Sequence, residues 1–249
     1  MQGLHRSLLL LALTSLVQSG HGSRIIDGEV VPENSMLYMV SVQNKQGHVC
    51  GGFLVSEGFV VTAAHCDRAE PTHVVLGSHD LKDKEKVTYR HIEERFKPKM
   101  YVNVIGGDDI MILKLSKKAD TNNRVETIPL PASEMNLPVN QQCVVAGWGK
   151  TYTHGSTVHK LRMVDVSVLS LPVCKQSWPK LPDKVICAGG YGTTKGFCQG
   201  DSGGPLVCNG IAVGVVSFNR DMICNYPDAP NVYTNISKHL SWINSIIEP

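Results

Sequence analysis

Apolar positions in this chain gather into short β-type runs along most of its length, with polar residues between them. Runs rich in Val, Ile, Leu, Phe and Tyr at 36–42, 49–55, 59–63, 73–76, 87–92 and 110–115 form one series. A second series follows at 143–148, 161–169, 185–188, 205–207, 211–218 and 231–234. Gly, Pro, Asn and Asp punctuate both, and many short strands at regular spacing predict a sandwich or barrel. Residues 116–127 lie between the series and are polar, with Lys117, Lys118, Asp120, Asn122, Asn123 and Arg124, so they read as a surface connector. Residues 82–86 alternate in charge and read as a solvated loop. Only the C-terminus has a helical period: Leu240, Ile243, Ile246 and Ile247 share one face, with Asn235 or Ser237 placed to cap. Such a face must dock on something.

A chain of 249 residues that is 42% hydrophobic can bury a substantial core, as one all-β domain or as two packed halves. Its first six residues carry positive charge, and the apolar run at 7–17 is too short to span a bilayer as a helix. Small residues follow at Ser19, Gly20 and Gly22, so 1–22 is expected to be a secretory signal peptide. No other long apolar segment is present, and no membrane anchor is expected. Eight cysteines in a secreted chain, without a C-x-x-C or H-x-x-x-H pattern, point to disulfides rather than a metal. Eight can pair in about 105 ways, so spacing leaves the connectivity open. The 24 basic and 22 acidic residues become 22 of each once Arg6 and Arg24 are removed. That balance offers no footprint for nucleic acid or an anionic membrane. Neither a cofactor nor a metal is expected.

The chemistry gathers at residues 196–206, G-F-C-Q-G-D-S-G-G-P-L, where Gly200, Gly203 and Gly204 surround Ser202. Glycines there let a substrate approach and let amide N–H groups point inward together. Taken alone, such a stretch is usually a turn with an incidental serine. Two other segments supply a base and an acid. His65 ends the apolar run V-V-T-A-A-H-C beside Cys66, a setting none of the other nine histidines has. Asp108 and Asp109 open the run I-M-I-L, where a buried acid needs a partner. Near the start, Arg24 stands before Ile25-Ile26-Asp27-Gly28 and looks like a processing site.

In this order A-A-H-C, D-D-I-M-I-L-K-L, G-W-G and G-D-S-G-G-P resemble the chymotrypsin-type serine proteases, from Ile25 to the end. The runs C-G-G-F-L-V, L-G-S-H-D and M-L-Y-M are similar to the granzyme and mast-cell protease branch. The resemblance implies two packed antiparallel six-stranded β-barrels with a cleft between them. The first would cover about 25–120 and the second about 128–235, with a helix at about 236–248 and residues 23–24 as a propeptide. It makes Ser202 the nucleophile, His65 the general base and Asp109 the orienting acid, since the family places that acid directly before Ile110. The N–H groups of Gly200 and Ser202 would form the oxyanion hole. Cleavage after Arg24 by an activating protease would free the Ile25 amine to pair with Asp201. Asp27 departs from the glycine commonest at its position. The implied disulfides are Cys50 with Cys66, Cys143 with Cys208, Cys174 with Cys187, and Cys198 with Cys224; the last is missing in many granule proteases and argues against a chymase-like subgroup. Calcium-binding relatives carry an acid where Ser78 stands. Protein or peptide substrates and serpin-type inhibitors are the partners implied, in an extracellular or secretory-granule setting.

The same resemblance outlines the pocket for the residue before the scissile bond. Gly196 takes the base, where trypsin-like enzymes carry aspartate, so no anion awaits Arg or Lys. Ser217, Phe218 and Asn219 stand where S-W-G is commonest, Asn231 replaces a frequent glycine, and Phe197 a small residue. If Phe197 and Asn219 project inward the pocket is narrow and apolar, the alternative favoured. If they turn away, the glycine base admits an aromatic side chain, and Asn231 could bind a polar one. Two other functions compete. A catalytically silent relative acting as a binding protein is disfavoured because no catalytic residue is substituted. A lipase or esterase with a G-x-S-x-G elbow at 200–204 needs Ser before Asp before His, and here the order is reversed.

Overall fold

The computed structural model describes residues 25–226 and 228–248. The expected signal peptide at 1–22 and the propeptide at 23–24 lie outside the described residues. Six strands close into an antiparallel barrel: β2 (Met39–Asn44), β3 (Gly47–Ser56), β4 (Phe59–Thr62), β5 (His73–Leu76), β6 (Thr88–Phe96) and β7 (Met111–Leu115), in the order β2-β3-β4-β7-β6-β5. Strand β6 runs beyond the expected 87–92 to Phe96. Its continuation, Glu93-Glu94-Arg95, reads as polar because most of it faces solvent, yet Arg95 pairs with Leu113 across the ladder. In β3 the five central residues, 50–54, are all buried. A single-sided strand would alternate there, so burial on both faces means that a second layer covers the barrel wall.

That layer holds β8 (Gln142–Gly147), β9 (Arg162–Ser167), β10 (Val185–Cys187), β11 (Pro205–Cys208), β12 (Ile211–Phe218) and β13 (Val232–Asn235). With β1 (Glu29–Val30) they make a seven-stranded sheet ordered β1-β9-β8-β11-β12-β13-β10. The expected second half is thus six antiparallel strands in a curled sheet, with β1 added at its edge. Its ends still meet, at the Val168 to Ala188 bridge, where the Leu169 N–H donates to the Cys187 carbonyl at 2.8 Å. A full ladder does not form there because β10 is only three residues long. Between β9 and β10 stands α1 (Leu171–Ser177), a helix the hydrophobic pattern does not reveal. Seven residues are too few to display a period. The local signal was Ser170 followed by Leu171-Pro172, and the Ser170 hydroxyl does accept from the Val173 N–H at 3.4 Å.

Each half has its own core: Val40, Val42, Phe53, Leu54, Val60, Val61, Ile112 and Leu113 in the barrel, and Val145, Val164, Val166, Leu206, Val213 and Val216 in the sheet. The C-terminal segment ties them. Helix α2 (Leu240–Ile247) leaves the sheet yet buries Ile243 in the barrel's core, with Leu240, Trp242, Ile246 and Ile247 packed around it. The connector at 116–127 is not wholly superficial, since Ala119 and Val125 are buried in the same core. Four disulfides join Cys50 to Cys66, Cys143 to Cys208, Cys174 to Cys187 and Cys198 to Cys224. The first lies in the barrel half and the other three in the sheet half, and all four constrain the unfolded chain.

Asn235 caps the short 3₁₀ turn Ile236–Lys238 rather than α2 itself, accepting from the Ser237 N–H at 3.0 Å and the Ser237 hydroxyl at 2.9 Å. The Asn235 side chain is therefore buried and its oxygen occupied. Asn235→Ala should lower unfolding free energy by about 1 to 2 kcal/mol, the usual cost of a lost cap. Chemical denaturation measures it, and an unchanged midpoint would show that the cap contributes nothing.

Candidate active site

Strand β4 ends at Thr62, and the chain turns through Ala63 into a 3₁₀ segment, Ala64–Ala69, that carries His65. The bond from Cys66 to Cys50 pins this turn to β3. Asp109 reaches it from just before β7. Its Oδ1 accepts the His65 backbone N–H at 2.9 Å, and its Oδ2 stands 2.8 Å from His65 Nδ1. The Ser217 hydroxyl donates to Oδ2 at 2.5 Å, and the Thr234 hydroxyl donates to the Asp109 carbonyl at 2.8 Å. Burial pushes the Asp109 carboxyl upward, but the hydrogen bonds and charge of His65, with the Ser217 hydroxyl, outweigh it and hold it below the usual carboxylate range. An ionised carboxylate only accepts, so Nδ1 carries the ring proton and Nε2 is the accepting nitrogen of the neutral ring. Asp109 is fully buried while His65 stays partly open to solvent.

Asp108 faces another way. It accepts from Lys184 Nζ at 2.8 Å and lies 3.0 Å from His239 Nε2. Adjacent acids thus serve different partners, and it is Asp109 that meets His65.

Ser202 sits on the turn before β11. Gly200 and Gly203 have φ of +99° and +82°, values side chains rarely adopt. At Gly203 space forbids a side chain as well: a Cβ would stand 2.5 Å from the Gly51 carbonyl and against Thr62 Oγ1. Close approach brings the turn to the barrel, where the Gly51 N–H donates to the Ser202 carbonyl at 2.8 Å. The same carbonyl lies 3.9 Å from Sγ of Cys66, next to His65, so Ser202 and the His65–Asp109 pair share one seam. Sequence reasoning missed His48. Its Nε2 lies 2.9 Å from the Gly200 carbonyl and its Nδ1 lies 2.8 Å from Ser41 Oγ, with the ring edge-on to buried Trp148. It holds the Gly200 to Asp201 peptide plane in place. Nothing in the residues around His48 marked it out from the other histidines.

Asp201 points away from the seam into the second half. Its carboxyl accepts the N–H groups of Gly149 at 2.7 Å and Cys198 at 2.9 Å. Burial pushes its pKa up to about 7, those two N–H bonds pulling against it. Neither Gly147 nor Gly149 could carry a side chain without striking this carboxyl. Ile25 is likewise completely buried, in the sheet's core with Val145, Phe197 and Tyr233, and the Ile26 N–H donates to the Gly196 carbonyl at 3.2 Å.

The expected pocket residues divide. Phe197 is buried edge-on to Tyr233 in the sheet's core, at 5.3 Å between ring centres. Ser217 turns to Asp109, and Phe218 packs edge-on to Trp178, over which the Arg220 guanidinium lies at 5.9 Å. Asn219 and Asn231 meet at the hydroxyl of Tyr226, a residue that sequence reasoning did not single out.

A carboxylate-oriented imidazole at the same seam as a serine on a glycine turn is an arrangement that serine-type endopeptidases use. A family model described as Trypsin matches residues 25–243. Duodenase-1 of Bos taurus is 40% identical over 243 residues, 96% of this chain and 95% of its own length. Mast cell protease 3 of Ovis aries is 38% identical over 241 residues, 95% and 94% of the two chains. Among solved structures, neuropsin, a serine protease expressed in the limbic system of mouse brain, superposes with a TM-score of 0.82 at 30% identity over 89% of this chain and 99% of its own. The chain belongs to the trypsin family of serine proteases, and it is a serine-type endopeptidase.

Among the described residues, two places bear on a metal. Cys50, His65 and Cys66 lie together, but the cysteines are bonded to each other and His65 to Asp109. A cavity of about 70 Å³ beside Ser78 is lined by Glu33, Asp80 and Asp83, and also by Lys86 and Arg124. Asp80 and Asp83 already accept the N–H groups of Lys82 and Glu85. EDTA should therefore leave both activity and melting temperature unchanged. A drop of more than about 2 °C would reveal a bound cation that stabilises the fold.

Proposed function

We propose that this chain is a secreted endopeptidase, made as a precursor with a signal peptide at 1–22 and activated by cleavage between Arg24 and Ile25. The peptidase domain is 25–249. Ser202 Oγ attacks the scissile carbonyl while His65 Nε2 takes its proton, and Asp109 stabilises the imidazolium so formed. The carbonyl oxygen becomes an oxyanion, met by the N–H groups of Gly200 and Ser202. His65 then gives its proton to the departing amine, leaving an acyl-enzyme that water cleaves by the same steps. The observation that carries this reading is the 2.8 Å contact of His65 Nδ1 with buried Asp109 at the seam that Ser202 shares. Protein or peptide chains are the substrates, an activating protease acts upstream, and serpin-type proteins are the expected inhibitors.

The burial of Ile25 supports activation by cleavage. Cutting creates an ammonium on a buried residue, in the half of the molecule where Asp201 needs a cation.

Ser202→Ala should lower kcat/KM at least about 10³-fold in the processed enzyme, with an unchanged melting temperature, and abolish fluorophosphonate labelling. Near-normal turnover would refute the assignment, while an unlabelled wild type would indicate a silent binding protein.

A pH dependence follows from Asp201. Its folded pKa of about 7 exceeds the ordinary 3.8, so the folded chain holds a proton that the unfolded chain has released. Stability is then full below about pH 4 and falls by up to about 4 kcal/mol as pH rises through 7. Uncleavable Arg24→Gln should lose melting temperature between about pH 5 and pH 8, and the processed enzyme should lose much less, because its Ile25 ammonium pairs with Asp201. Asp201→Asn should remove that difference and stay nearly inactive after processing. Parallel pH profiles for cut and uncut chains would sink the switch.

A further inference from the structure

The space above Gly196 is already occupied. A Cβ on Gly196 would stand 2.5 Å from Cε2 and 2.9 Å from Cζ of Tyr226, and closer still to Oδ1 of Asn231. A glycine base does not make a deep pocket here, because a ring from another loop lies over it.

That ring is braced from three sides. The Tyr226 hydroxyl donates to the Phe197 carbonyl at 2.5 Å and accepts from Asn231 Nδ2 at 2.8 Å and Asn219 Nδ2 at 3.1 Å. One donor and two lone pairs are a phenol's whole capacity, so no position on it is left for a substrate. Asn219 stands just past the end of β12 and Asn231 just before β13, so Tyr226 links adjacent strand ends. Asn231 is fully buried and also accepts the Phe197 N–H at 3.2 Å, while Asn219 also donates to the Ile223 carbonyl at 3.1 Å. Two residues earlier, Cys224 anchors the loop to Cys198. Burial holds the phenol at about 12, despite the hydrogen bonds from Asn219 and Asn231, so it is neutral wherever the enzyme works. The groups nearest the base are the Tyr226 ring and the Asn231 amide, and neither offers a counter-charge to a lysine or arginine head.

We propose that Tyr226 is a specificity-determining residue, whose braced ring closes the pocket above Gly196 and restricts the residue before the scissile bond to small uncharged side chains such as Ala and Val. This rests on the protease reading given above. It replaces the wall residues Phe197 and Asn219 as the cause of narrowing: Phe197 belongs to the sheet's core, and Asn219 acts by holding Tyr226.

The experiment compares processed wild type, Tyr226→Ala and Tyr226→Phe on peptides identical except for Ala, Val, Leu, Phe or Arg before the cleaved bond. Wild type should favour Ala and Val over Phe and Arg by at least about tenfold in kcat/KM. Tyr226→Ala should raise the Phe-to-Ala ratio at least about tenfold, whereas Tyr226→Phe, which keeps the ring, should hold it within about threefold of wild type. A Phe-to-Ala ratio unchanged in Tyr226→Ala would overturn the proposal, and so would a wild type that prefers Phe or Arg, a result that needs no variant to fold. Fluorophosphonate labelling of wild type separates the two levels: label with the wrong ranking overturns the role of Tyr226 alone, and no label overturns the protease reading with it.

Discussion

The structure depends on a carboxylate that water cannot reach. Asp109 is fully buried, and an unpaired charge there would cost several kcal/mol. Its compensation comes from both halves of the molecule: the backbone and ring of His65 from the barrel, the hydroxyl of Ser217 from the sheet. The Thr234 hydroxyl adds a bond to the Asp109 carbonyl from the sheet as well. Neither half alone satisfies Asp109. The charge therefore makes correct packing of barrel on sheet a condition of stability, and the same bonds fix the tautomer and orientation of the imidazole. Folding energy and chemical competence draw on one set of contacts.

Asp201 shows the opposite arrangement. It is as thoroughly buried, yet among the described residues only two backbone N–H groups donate to it, and its carboxyl is driven up to about 7. Two backbone dipoles do not offset the desolvation of a full charge, where the ring and backbone N–H of His65 together with the Ser217 hydroxyl do. One buried acid is compensated by the fold itself and the other is left wanting a cation. This difference is what a proposed switch operated by a new N-terminus requires, because a site already satisfied would gain nothing from the cut.

How much could be read beforehand varies with the physics of each feature. Most strands were legible as short apolar runs rich in β-branched residues, and 73–76 and 211–218, buried along most of their length, coincide with β5 and β12 to the residue. The polar end of β6 was not, because ladder hydrogen bonds place no demand on side chains that face water. Closure of the second half was also beyond reach: it turns on a single bridge at Val168 and on the shortness of β10, quantities set by tertiary packing. His65, Asp109 and Ser202 stood out because each lies where an apolar run or a glycine cluster makes a polar residue anomalous. His48 lies in a mixed stretch and becomes informative only when Gly200 is brought against it from 152 residues away.

The pocket was the least legible part, for a related reason. Its base was inferred from residues within a few positions of Ser202 and at the ends of the neighbouring strands, as though side chains there decided its depth. What decides it is a loop residue whose position follows from three hydrogen bonds and a disulfide that no local pattern displays. The framework residues are constrained by burial and so leave a periodic trace in the chain. A loop that closes over a framework is constrained only by its partners, and its composition, here C-N-Y-P-D-A-P, reads as an ordinary turn. One scaffold can therefore carry many specificities while its strands and its buried acid stay the same: the residues that choose the substrate are those whose replacement leaves both cores intact.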